Sequence, residues 1–89
     1  MAVFAVMVTE DNSEKVKSLS LKIAQTYPNE FMELSKGIWL VSAPEIFQPK
    51  LVFDALLPEH TTSSLVVPVN AFWGIQDPSV WNWIQQRMK

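Results

Sequence analysis

The sequence predicts an α+β fold in which an antiparallel four-stranded sheet carries two helices on one face and gains a C-terminal helix or strand. Two apolar runs rich in β-branched residues, AVFAVMV at 2–8 and LVVPV at 65–69, stand near the two ends of the chain. Each is separated from the middle by a stretch with helical spacing. Between those stretches two further apolar runs flank Ser35, Lys36 and Gly37, the composition of a tight hairpin. At 89 residues, 48% hydrophobic and only 18% charged, the chain has material for one core and a surplus that suits an interface. One domain is expected over residues 1–89, a core over 1–75 and an extension over 76–89.

The first run has no polar interruption, so it reads as a central strand covered on both faces, or on one face and an interface. It lacks a basic leader and meets Glu10 and Asp11 soon after Val8, which favours a strand over a secretion signal. Asn12 or Ser13 then caps a helix. Val16, Leu19 or Ser20, Ile23 and Tyr27 repeat along one face of it, and it must stop before Pro28.

The hairpin is expected over residues 30–34 and 37–42, with a three-residue loop in which Gly37 supplies a positive φ. Its second arm, Ile38 to Val41, is continuously apolar and reads as the interior strand. Ser42 and Glu45 have capping-box spacing, but Pro49 would break a helix begun there. A start near Gln48, with Pro49 in the first turn, is better, and Leu51, Val52, Ala55 and Leu56 form the inward face until Pro58. Pro68 removes a ladder donor, which puts the fourth strand at an edge, at a bulge or where the chain leaves the sheet.

Strand, helix, strand, strand, helix, strand is the ferredoxin-like βαββαβ order, with both helices on one sheet face. The other face is left for the tail, or for a second copy. Asp77 and Pro78 form a helix-start signal, although Ser79 to Ile84 also alternates as a strand does, and both readings stay open for residues 78–88. On a helix Val80, Trp81, Ile84 and Met88 share a face, while Trp83 lies roughly 110° from its centre beside Arg87. Trp83 then lies either under the Arg87 guanidinium or against another chain.

Composition excludes several chemistries. There is no cysteine, hence no disulfide or zinc-thiolate site, as suits a reducing cytoplasm. Only Gly37 and Gly74 exist, so no glycine-rich phosphate loop can form, and His60 is the sole histidine. The seven basic residues make no stripe, and no nucleic-acid partner is expected. Nor does any run approach the ~20 apolar residues that cross a bilayer, so a soluble protein is expected. Glu10, Asp11 and Glu14 could hold a divalent ion, or could favour the following helix through its dipole. Asn70, Phe72, Trp73 and Gly74 make a polar and aromatic corner after the fourth strand.

The arm GIWLVSA and the segment SLVVPVNAFWGI resemble strands of SinR-like small proteins, which are similar to the small nuclease-like subunit of the CRISPR adaptation complex. The resemblance spans residues 2–75 and implies a ferredoxin-like fold and a homodimer formed through sheets. The nuclease-like group carries an aspartate at the end of its first strand. Here that place falls near Thr9, with Glu10 and Asp11 displaced from it.

The function expected is therefore a homodimeric binding or regulatory module, with no catalytic residue and no cofactor. Trp39, Phe72, Trp73, Trp81 and Trp83 are the candidate interface anchors, because aromatic residues dominate such contacts. A metal-dependent nuclease using Glu10 and Asp11 is one alternative. A phage or mobile-element protein that blocks a host complex is another.

Overall fold

A computed structural model of the chain describes residues 2–44, 48–59, 62–69 and 78–87. The expectations placed on Glu45, His60, Asn70, Phe72, Trp73, Gly74, Asp77 and Met88 lie outside those residues. The described elements are strand β1 (Ala2–Val8), helix α1 (Ser13–Thr26), strands β2 (Phe31–Ser35) and β3 (Ile38–Ala43), helix α2 (Pro49–Leu56), strand β4 (Ser64–Pro68) and helix α3 (Pro78–Arg87). The fold is α+β, with one antiparallel sheet in the order β2-β3-β1-β4.

Local chemistry explains most of the boundaries. Asn12 caps α1, its Oδ1 accepting the Lys15 backbone N–H at 3.1 Å, and Pro49 opens α2 as its fixed φ allows. Pro68 closes β4, an edge strand, where a missing N–H costs no ladder bond. The hairpin is tighter than its composition predicts. Ser35 still pairs, opposite Ile38, so only Lys36 and Gly37 form the turn, and a register shift between Glu33 and Ser35 leaves Leu34 as the extra residue of β2. Gly37 has φ 85°, which a side chain would strain, and its carbonyl accepts the Val8 N–H at 2.8 Å.

Side-chain alternation divides the core in two. Phe4, Val6, Trp39, Val41 and Ala43 point to one face of the sheet, where they meet Leu19, Ile23 and Tyr27 of the α1 end and Val52 and Leu56 of α2. Val3 and Leu40 point to the other face, where Val80 and Ile84 of α3 cover them. The tail is a helix, and it lies on the sheet face opposite α1 and α2.

Two expectations about side chains change with this arrangement. Leu51 does not face inward: it is 48% exposed, because Val52 and Leu56 alone, four residues apart, set the buried stripe of α2. Trp39, named as an interface anchor, is 0% exposed within the two-helix core. Its position in β3 opposite Val6 fixes that direction, so it offers no surface to a partner.

Candidate interaction surface

The second sheet face is built from rows that run across the strands. Val3 and Leu40 are closed by Val80 and Ile84, with Ala5, Met32, Leu34, Val69 and Trp83 packed around them. The next row toward the end of β1 sets Met7 between Ile38 on β3 and Leu65 on β4. Met7 and Ile38 are half-buried and Leu65 is 51% exposed. Three large apolar side chains therefore extend the second core beyond the residues α3 packs on. All three are of types that gain about 1.5–3 kcal/mol when fully removed from water.

The tryptophans of α3 are both half-buried, so the expected contrast between an inward Trp81 and a marginal Trp83 is absent. Val80 and Ile84 define the buried stripe, and both rings then fall about 80° from its centre, on opposite flanks. Trp83 takes the flank that packs on the second core, while Trp81 is half-buried on the other. A face that includes Met88 is centred nearer Trp81 than the face set by Val80 and Ile84 alone. The Arg87 guanidinium lies over the Trp83 ring, 4.2 Å from its centroid, as one reading of the tail expected.

Arg87 also fastens α3 to the start of β2. Its Nε donates to Glu30 Oε2 at 3.0 Å, and further N–H groups reach the carbonyls of Trp83 at 3.3 Å and Asn29 at 3.5 Å. Asn29 has φ 64°, a left-handed position that asparagine tolerates well, and this turns its carbonyl and Glu30 toward the clamp. A cation in the last turn also suits the helix dipole. No pattern in the sequence joins residue 87 to residue 30. The signal available was only the placement of an arginine one turn after a tryptophan.

Glu10 and Asp11 have separate roles. Glu10 receives the Lys15 ammonium at 2.7 Å on Oε1 and the Ser63 N–H at 2.8 Å on Oε2, so it ties the end of β1 to α1 and to the entry of β4. The Lys15 hydrogen bond foremost, then that from Ser63, holds its carboxyl below its ordinary value. Asp11 and Glu14 are exposed. Among the described residues no group of three His, Cys, Asp or Glu gathers as a metal site would need.

A cleft of about 460 Å³ lies between α1 and the end of α2, with Lys15, Ser18 and Lys22 on one wall and Leu56, Leu57 and Pro58 on the other. It is open and mixed in character. Its Lys15 is already held by Glu10.

Among the described residues no helix is long and apolar enough to cross a membrane. No protein-family model and no curated protein matches the chain.

Proposed function

We propose that the chain is a ferredoxin-like plait acting as a small homodimeric binding or regulatory module, with no catalysis of its own. The element order and the strand order β2-β3-β1-β4 support the plait. The observation that carries the dimer is the row Ile38, Met7, Leu65, contiguous with the second core and ending in a leucine 51% exposed. Such a row is self-complementary across a two-fold axis, since each copy offers the same apolar line to the other. A small, charge-poor chain gains from burying it.

The nuclease reading is the weaker one. Both oxygens of Glu10 are taken up by Lys15 and Ser63, so a metal would have to displace two fastenings to recruit it.

Sedimentation tests the dimer. The wild-type chain is expected to sediment as a dimer at micromolar concentration, and Leu65→Glu as a monomer with unchanged circular dichroism, because Leu65 stands on an edge strand. A wild-type monomer throughout the micromolar range would overturn the proposal.

A further inference from the structure

We infer that two copies join along the outer edge of β4, in an antiparallel register that sets Leu65 of one copy directly opposite Leu65 of the other. This rests on the homodimer proposed above and names the edge and the register through which its copies meet. The ladder between β1 and β4 fixes what that edge offers. Thr9 N–H donates to the Ser63 carbonyl and Val69 N–H to the Val3 carbonyl, so the odd-numbered residues along β4 face β1. By strand alternation the backbone N–H and C=O groups of Ser64 and Val66, and the carbonyl of Pro68, point away from the sheet. Among the described residues no other backbone group bonds to them.

The make-up of this edge favours a second copy as its occupant. β4 carries no charge, whereas β2, the opposite edge, is interrupted by Glu33 and by the bulge at Leu34, devices that keep edges from pairing. Pro68 then selects one self-pairing. A two-fold axis at Val66 would aim the Ser64 carbonyl at a proline that has no N–H. An axis at Leu65 instead pairs Ser64 with Val66 of the second copy, in both directions, and gives each of those N–H groups a carbonyl. Leu65 meets its counterpart as a non-hydrogen-bonded pair, and the row Ile38, Met7, Leu65 runs without a break into the same row of the second copy. The other sheet face has an exposed leucine at this edge as well. α2 packs on β4, and Leu51 lies about 120° from the stripe of Val52 and Leu56, on the flank away from Leu57, which lines the cleft against α1. That flank stands over the β4 edge. Leu51 and Leu65, 48% and 51% exposed, thus border the edge on both faces, and a second copy brings the same two across the axis. An unrelated extended peptide would fill the ladder and bring no such pair.

Cysteine trapping tests the register in a chain that has no cysteine of its own. In the inferred dimer Leu65→Cys places two thiols at a cross-strand separation that a disulfide spans. Met7→Cys would stand about three strand spacings from its counterpart and Val67→Cys about four residues out of step, each about 14 Å away and beyond a disulfide's reach. With oxidised glutathione, Leu65→Cys is expected to form the covalent dimer at least about tenfold faster than either. Equal rates, or a faster Met7→Cys as face-to-face packing of the row would give, would overturn the register and leave the homodimer standing.

Hydrogen exchange on the wild-type chain gives a check that no substitution can confound. Outward-facing edge amides need no unfolding to exchange in a monomer. Where sedimentation shows dimer, the Ser64 and Val66 amides are therefore expected to exchange at least about tenfold more slowly than after dilution to monomer. A dimer in which they still exchange at the monomer's rate would end the inference while the homodimer stood. Slow exchange in dimer and monomer alike would mean that the edge is covered within one chain, and would end it too. A wild-type chain that stays monomeric throughout the micromolar range would overturn both.

Discussion

Tyr27 and Trp39 each bury a polar atom, Tyr27 Oη and Trp39 Nε1, without a hydrogen-bond partner, in a core otherwise filled by aliphatic and aromatic carbon. An unsatisfied buried hydroxyl costs about 1–3 kcal/mol, so Tyr27→Phe should leave stability unchanged or raise it by about 1 kcal/mol, as read by urea unfolding. A loss greater than that would mean the hydroxyl has a partner. Burial also pushes the phenol of Tyr27 above its ordinary value of 10.0, and as the chain's single tyrosine it alone reports in the tyrosinate absorbance band. Glu10 shifts the other way. As pH falls the unfolded chain takes up its proton first, near the ordinary 4.5, so the stability its fastenings contribute is complete above that value and is lost as pH falls through the lower folded one. Glu10→Gln should therefore lower the urea midpoint at neutral pH, and the gap from wild type should close in acid; a constant gap would assign the effect to packing. Residues of this kind were only half legible in the sequence. The positions of Asn12, Pro49 and Gly37 follow from local rules, but the union of Glu10 with Ser63 spans 53 residues and belongs to the tertiary fold.

Elements were legible where one periodicity ruled and ambiguous where two competed. The helix over Leu19, Ile23 and Tyr27 and the interior strand over Trp39 to Val41 have a single pattern each, and both formed as their patterns require. The tail carries both strand and helix patterns. Asp77 aside, the Pro78 start and the aliphatic pair Val80 and Ile84, one turn apart, decide for the helix. Which tryptophan faces the sheet could not be read from α3 alone, since both lie at the same angle from that pair. The choice is made by what stands beneath the flanks, and on the side of Trp83 this includes the second core and the Arg87 clamp. If the pair holds the element, Ile84→Ala should weaken α3 far more than the sheet. Losing a buried isoleucine of 6% exposure costs about 2 kcal/mol at the low end, equivalent to roughly 30-fold in the opening equilibrium. Limited trypsin digestion is then expected to cut after Arg87 about 30-fold faster than in wild type, with cleavage in α1 after Lys17 and Lys22 little changed. Equal acceleration at all three sites would mean that α3 and the rest of the α+β fold open as one unit.

At the level of the whole molecule, the two sheet faces are closed to different extents. The α1 and α2 side holds the larger buried cluster, whereas the α3 side continues into Ile38, Met7 and a Leu65 that stays half in water. Composition could announce a surplus of apolar residues, but it could not say where the surplus would surface, because that depends on the register that aligns residues 7, 38 and 65 in one row. A dimer closed through this row ties folding to association, and its melting temperature must then rise with protein concentration. Unfolding a dimer of 89-residue chains releases about 0.37 kcal/mol/K of entropy at about 2.1 cal/mol/K per residue. A tenfold rise in concentration adds about 1.5 kcal/mol per dimer near the midpoint, which predicts an increase of about 4 °C. Leu65→Glu should abolish that dependence while keeping the melting temperature of the dilute wild-type chain, since an exposed edge residue contributes little within the monomer. Calorimetry over two decades of concentration separates the cases. A wild-type midpoint that does not move would place the row in water in the native state, and one that moves equally in the variant would locate the contact between copies elsewhere on the surface.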